Sequence, residues 1–160
     1  MADVVNSETR SRMMAGIRSG NTKPERLVRQ ALHALGFRFG RNTNMLPGKP
    51  DVVLPKWRVV VFVHGCFWHM HGCNLSKMPQ SNASFWEAKL KGNKARDERV
   101  QLALIRDGWR VLTVWECALR GRDRKILDEN LMKEVAAWIR DRQADSPRFV
   151  LGTMNSRDST

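Results

Sequence analysis

WRVVVFVHGCFWHMHGC, residues 57 to 73, sets the reading of the whole chain. Its first half is a β-branched apolar run that ends at His64-Gly65, the composition of a buried strand. Its second half carries three of the four histidines and two of the three cysteines. The connection it opens, residues 66 to 83, is longer than loops usually are unless a ligand holds them. An apolar pair, Phe67-Trp68, sits where a metal loop is usually polar.

Working outward, LPGKP at 46 to 50 reads as a turn, and DVVLP as a short strand that begins at Asp51. Upstream, Thr22-Lys23-Pro24-Glu25 has the form of a capping box with proline early in the helix. Leu27, Val28, Ala31, Leu32 and Leu35 follow at helical spacing, and Gly36 stops the helix. Downstream, FWEAKLKGNKARDERVQLALIRDGW reads as a long helix closed by Gly108, and RVLTVWE as a third strand. A last helix over 124 to 142 rests on Ile126, Leu127, Leu131, Val135, Trp138 and Ile139. The order helix, strand, strand, helix, strand, helix predicts an α/β domain with a mixed central sheet flanked by helices. Residues 1 to 20, polar and basic around Met13, Met14 and Ile17, suit a weakly ordered helical arm. The domain is then expected over 21 to 143, with a flexible tail over 144 to 160.

A chain of 160 residues can bury one core without disulfide staples. Its three cysteines cannot all pair, and beside histidines in a reducing compartment they read as metal ligands. No apolar run approaches the ~18 residues of a membrane span, and the charged N-terminus lacks a signal peptide's apolar stretch, so a cytoplasmic protein is expected. Net charge is +12, from 28 basic and 16 acidic residues, a balance that favours polyanions and nucleic acid above all. From Arg26 to Trp86 the sole acid is Asp51, set among Arg26, Arg29, Arg38, Arg41, Lys49, Lys56, Arg58 and Lys77. A carboxylate facing phosphates is repulsive unless it holds a cation there.

Two metal sites follow from these residues. Cys66, a histidine after four intervening residues and Cys73 offer three zinc donors from one loop, and Cys117 in WECAL would tie that loop to the third strand. A lone cysteine is more often a small buried hydrophobe, the plainer reading of Cys117. With three thiolates, one histidine completes a closed structural zinc site and two remain for other work. Asp51 at one strand end and His64 at another could converge on a cleft where Mg²⁺ is held by one carboxylate, waters and substrate phosphate. A histidine there could take a proton from water while a carboxylate fixes its tautomer, with Asp97 available for that. Asp97 is otherwise an exposed helix charge, and Glu25 is first a capping residue.

PGKPD at 47 to 51, FVHGCFWHMHGC at 62 to 73, FWEAKLKGNKARD at 85 to 97 and GWRVLTVWECAL at 108 to 119 together resemble the very short patch repair (Vsr) DNA mismatch endonucleases. The resemblance runs from the N-terminal arm to about residue 140 and is dense over 47 to 119. It implies a restriction-endonuclease-like fold with a structural zinc loop. It also implies a Mg²⁺-dependent nick in one strand, 5′ of the thymine in a T:G mismatch left by deaminated 5-methylcytosine.

Carried over residue by residue, the resemblance makes Asp51 the Mg²⁺ carboxylate and the main-chain carbonyl of Val63 a second ligand. It gives structural Zn²⁺ to Cys66, His71, Cys73 and Cys117, and water activation to His69 with Asp97. His64 would assist at the phosphate, and Glu25 would act on the metal's water shell. Phe67, Trp68 and Trp86 would wedge into the base stack from the major groove, with Met14 of the arm entering the minor groove. The partners implied are double-stranded DNA with a T:G mismatch and a mismatch-repair accessory protein, and a monomer suffices for a single-strand nick. Two departures stand out. The PD-(D/E)xK nuclease pattern would put an acid and a lysine on the second strand, where this chain has Phe62-Val63-His64. Position 63 is valine where some relatives would carry a hydroxyl residue. The rival readings are a zinc-stabilised DNA-binding module without catalysis, and a matched-site restriction endonuclease of the same fold.

Overall fold

The structure, a computed structural model, describes residues 22–39, 45–69, 71, 79–119, 126 and 128–152. Among these residues four strands form one sheet in the order β1 (Val52–Leu54), β2 (Val59–His64), β3 (Arg110–Trp115), β4 (Arg148–Leu151). β1 runs antiparallel to β2, with Val53 opposite Val60. β2 and β3 are parallel, with Val61 opposite Leu112 and His64 opposite Trp115, and β4 is parallel to β3. Among the described residues three helices flank this mixed sheet: α1 (Lys23–Ala34), α2 (Ala83–Arg106) and α3 (Glu129–Arg140). Among the described residues, no helix is long and apolar enough to cross a membrane.

β2 is apolar on both faces because both are covered, so its run of valines need not alternate with polar residues. Val59 and Val61 join Val28 and Leu32 of α1 and Val135, Ala136 and Ile139 of α3 in the larger core. Val60 and Phe62 face the other way, onto Leu104 with Val100 and Ile105 of α2. Side chains two apart share a face of a strand. His64 therefore continues the Val60–Phe62 face, and Thr113 and Trp115 continue that of Val111. The α2 side of the sheet turns polar toward the carboxyl ends of β2 and β3.

α2 is built to match. Trp86, Leu90 and Leu104 are its buried residues, and Asn93, Asp97, Val100 and Gln101 lie on the same stripe at spacings of three and four. Asn93 donates to the Trp68 carbonyl at 3.1 Å and Gln101 to Thr113 Oγ1 at 3.4 Å. Asp97 is thus on the inward face and is not the exposed helix charge that was its plainer reading.

The sheet is wider than expected. Residues 148–151, assigned from the sequence to a flexible tail over 144–160, form β4 instead. Leu151 is buried, Phe149 packs on the larger core, and Arg148 pairs with Glu98 of α2 at 3.0 Å. The first strand starts at Val52 and not at Asp51, and α2 starts at Ala83 and not at Phe85. α3 starts at Glu129, five residues later than expected, because Asp128 caps it by accepting the Leu131 N–H at 3.1 Å. The arm over 1–20, including Met14, lies outside the described residues, as does Cys73.

Arg110 ties β3 to the end of α3. Its guanidinium donates to the carbonyls of Trp138 (2.5 Å), Ile139 (2.7 Å), Asp141 (3.1 Å) and Trp57 (3.0 Å), and lies over the Trp138 ring. Those carbonyls include the last-turn acceptors that no helical N–H can reach. Arg110→Met is expected to lower unfolding stability by about 2–4 kcal/mol, because it leaves several buried acceptors short of a donor. Urea midpoints with an unchanged slope would check this.

Candidate active site

A cleft of about 500 Å³ opens over the α2 side of the sheet, lined by Gly48, Lys49, Asp51, Phe62, Val63, His64, His69, Arg96, Asp97, Val100 and Gln101. Four of the five residues that the sequence assigned to catalysis border it, and the fifth, Glu25, adjoins it through Asp51.

Asp51 stands one residue before β1 and is fixed twice: its N–H donates to the Val61 carbonyl at 2.9 Å, and its Oδ2 accepts from the Val63 N–H at 2.6 Å. In an extended strand the N–H and C=O of one residue point to the same edge, so the Val63 carbonyl opens toward Asp51 too. Glu25 enters from the first turn of α1. Thr22 Oγ1 accepts the Glu25 N–H at 3.4 Å, which is half of the expected capping box. The Glu25 carboxyl turns toward Asp51, with Arg29 at 3.8 Å. Burial pushes the Asp51 carboxyl up to about 6 against the hydrogen bond from Val63, and the neighbouring Glu25 raises it further. Two carboxylates in one partly buried corner, beside a main-chain carbonyl, suit a hard divalent cation, whose charge relieves their repulsion.

His64 and His69 stack face to face, with ring centroids 3.9 Å apart and planes 5° from parallel. His64 is buried, and burial first, with the adjacent His69 second, pushes its pKa down to about 3. It is a neutral imidazole at any working pH. His69 is placed by its own N–H, which donates to the Gly65 carbonyl at 3.2 Å, and its Nδ1 bonds directly to Asp97 Oδ2. The carboxylate holds the proton on Nδ1, which leaves Nε2 as the acceptor. His64, His69 and Asp97 lie close enough together for a metal site, but the stacked rings argue against one. No single ion lies in both ring planes, and Asp97 already occupies Nδ1. The geometry of the trio suits acid–base chemistry better than it suits a metal.

A second group lies behind it. Ligand atoms of Cys66, His71 and Cys117 all fall within 4.8 Å of one another, so the three could hold a metal ion. Cys117 Sγ is 3.5 Å from His71 Nδ1, and the Cys117 N–H donates to Cys66 Sγ at 3.4 Å. Main-chain N–H groups aimed at sulfur are the usual outer support of a thiolate centre. Cys117 is half-buried among these partners rather than being a lone core cysteine. The His71 ring stacks on Trp115, with centroids 4.2 Å apart.

The aromatic pair in the loop packs as a cluster. Phe67 meets Trp68 edge-on at 4.9 Å, and both lean on Trp86 at 5.7 and 5.8 Å. Trp86 is 4% exposed and forms the base of the cluster, while its neighbour Phe85 is 59% exposed. Sequence reasoning did not assign a site role to Lys49, Arg96, Gln101 or Phe85. For Lys49 the signal was its place in PGKPD, two residues before Asp51.

Comparison with known proteins gives the family of the chain. A family model described as DNA mismatch endonuclease Vsr matches residues 2–75. The chain is 45% identical over 139 residues to the DNA mismatch endonuclease Vsr of Escherichia coli (strain K12), covering 87% of this chain and 88% of that protein. It is 47% identical over 134 residues to the type II nicking enzyme V.XorIIP of Xanthomonas oryzae pv. oryzae, covering 80% of this chain and 98% of that protein. It is 44% identical over 122 residues to the type II nicking enzyme V.NmeAIP of Neisseria meningitidis serogroup A, covering 76% and 87%. By sequence, the chain belongs to the Vsr family of DNA mismatch endonucleases.

Proposed function

We propose that this protein is a divalent-metal-dependent DNA endonuclease that nicks one strand 5′ of the thymine in a T:G mismatch. The observation that carries the reading is one cleft that brings together the Asp51–Glu25 corner and the His69–Asp97 pair. A binding module has no use for a tautomer-fixed imidazole beside a cation site. The restriction-endonuclease-like assignment rests on the mixed sheet with its metal carboxylate at a strand end, histidines standing where the lysine pattern is missing.

His69 Nε2 takes the proton of the attacking water while Asp97 holds the other side of the ring. Water oxygen bonds to phosphorus, the phosphorus–oxygen bond to the neighbouring sugar breaks with its electron pair going to the sugar oxygen, which takes a proton from solvent, and the imidazolium is stabilised by the Asp97 carboxylate. Neutral His64 keeps the His69 ring plane by stacking and offers a nitrogen to a phosphate oxygen. Asp51, the Val63 carbonyl and, through water, Glu25 would hold Mg²⁺, which when bound stabilises charge on the phosphoryl group. Cys66, His71, Cys73 and Cys117 would hold structural zinc, three of them as described above. Cys117→Ser is then expected to lose bound zinc and to unfold at least about 10 °C lower, because the metal's binding energy is folding energy. Zinc content and a thermal melt would check this.

Phe67 and Trp68, carried on Trp86, are suited to enter the base stack. Unstacking costs a few kcal/mol per step and least at a mismatch, so a wedge contributes selectivity. Phe67→Ala is expected to lower single-turnover nicking of a T:G duplex by about 10- to 100-fold, with a smaller effect on binding to matched DNA.

The test of the function is Mg²⁺ with end-labelled duplexes: a T:G mismatch in a methylation-site context beside matched T:A and C:G duplexes. A single nick 5′ of the mispaired thymine, lost with EDTA, is the expected result. Nicking of a matched sequence would replace the mismatch reading with the sequence-directed one that the type II nicking relatives bring to mind. Tight binding without cleavage would leave only the binding module.

A further inference from the structure

We infer that Lys49 is the catalytic cation of this cleft, contacting the scissile phosphate in place of the lysine that the second strand lacks. The inference rests on the endonuclease reading above and adds to it a residue, a contact and a built geometry.

The first observation is backbone conformation. Gly48 and Lys49 both have positive φ, at 73° and 48°. For glycine this is ordinary, but for a lysine it is uncommon. Lys49 also precedes Pro50, a position that disfavours the helical regions. Such a conformation persists only where the surroundings over-determine it, and it concentrates at functional sites. Here it is held on three sides. The Lys49 N–H donates to the Leu46 carbonyl at 3.2 Å, and the Asp51 N–H to Val61. Gly48 lies against Val100 of α2, so closely that an added Cβ would stand 2.3 Å from Val100 Cγ1. The turn is pressed onto the helix that carries Arg96 and Asp97, and it delivers Lys49 to the cleft wall.

The second observation is charge. Asp51, Glu25 and Asp97 bring three carboxylates to the cleft. A divalent cation together with Arg29 beside Glu25 only neutralises that set, against a phosphodiester that gains a further charge on the way to the phosphorane. Lys49 and Arg96 are the two cations lining the cleft, and among the described residues neither side chain is engaged in an ion pair. With both present, the walls become net positive and the substrate is attracted. Lys49 is the one adjoining Asp51, whereas Arg96 belongs to the α2 wall.

The experiment uses the zinc-loaded full chain. Lys49→Gln, Lys49→Arg and Lys49→Gly are compared with wild type for single-turnover nicking at saturating enzyme. Lys49→Gln should slow nicking by about 100-fold or more while changing duplex affinity little, and Lys49→Arg should recover part of the rate. Lys49→Gly eases the backbone and removes only the cation, so it should be as slow as Lys49→Gln with no loss of thermal stability. Binding is also measured without divalent metal to duplexes whose scissile phosphate is replaced by a neutral methylphosphonate. That replacement should cost wild type more affinity than it costs Lys49→Gln. Nicking by Lys49→Gln within threefold of wild type overturns the inference. So does an equal penalty from the neutral linkage in both proteins. If wild type cuts no duplex at all, the endonuclease reading fails instead.

Discussion

Asp51→Asn is expected to abolish nicking and, in the same molecule, to make the fold more stable. The loss should reach at least about 10³-fold in single-turnover rate, since the charge stabilisation tied to the bound cation amounts to several kcal/mol. The gain comes from the same corner. Asparagine keeps an acceptor for the Val63 N–H at this position and offers an N–H to Glu25, so the crowding of two carboxylates disappears. A carboxyl held at about 6 against an ordinary 3.8 corresponds to roughly 1–3 kcal/mol of destabilisation near neutral pH without divalent metal. A melt of zinc-loaded protein without added Mg²⁺ and a nicking assay with it would read both effects.

The pH dependence carries the sign. Asp51 is held above its unfolded value, so its contribution to stability is complete below about 3.8 and is lost as pH rises through about 6. His64 is held below its unfolded value, so its contribution is complete above about 6.5 and is lost as pH falls toward about 3. Between about pH 4 and 6 the folded chain binds one proton more at Asp51 and one fewer at His64, and the two slopes cancel. Asp51→Asn removes one of them. The variant's stability relative to wild type should climb with pH across that window, by up to about 1.4 kcal/mol per unit. A variant whose advantage stays constant from pH 4 to 6 would mean that Asp51 is an ordinary carboxylate.

What could be read from the sequence divides along physical lines. Covered strands and amphipathic helices announce themselves by composition and period, so β2, β3, α1 and most of α2 were legible. β4 was not. Its four residues follow a polar stretch, and only Phe149 and Leu151 face the core. Strand pairing with β3 makes it part of the sheet, and that is a tertiary fact. The start of α3 was misread because Ile126 and Leu127 fit the helical period, whereas the cap at Asp128 decides where the helix begins. In the site, residue types and strand ends pointed to Asp51, His64 and the Cys/His loop. The bond between His69 and Asp97 joins residues 28 apart and was reached only through resemblance. The positive φ of Lys49 is a backbone property that PGKPD only suggests.

The His69–Asp97 pair gives the second large effect. His69→Ala removes the proton acceptor and should cost about 10²- to 10⁴-fold in single-turnover nicking. Asp97→Asn leaves the ring in place yet should come close to the same loss. The carboxamide can donate to Nδ1, which moves the imidazole proton onto Nε2, the atom that has to be bare when water is deprotonated. If the two residues act as one device, the double variant should be no slower than the slower single variant, since removing the orienting group matters only while the base is there. Losses that instead multiply would show two independent roles, with Asp97 acting on the cation or the phosphate rather than through His69. The stacked His64 sharpens the comparison. Its ring contact with His69 at 3.9 Å is untouched by Asp97→Asn, so a change confined to proton transfer should leave duplex affinity and thermal stability near their wild-type values while the rate collapses.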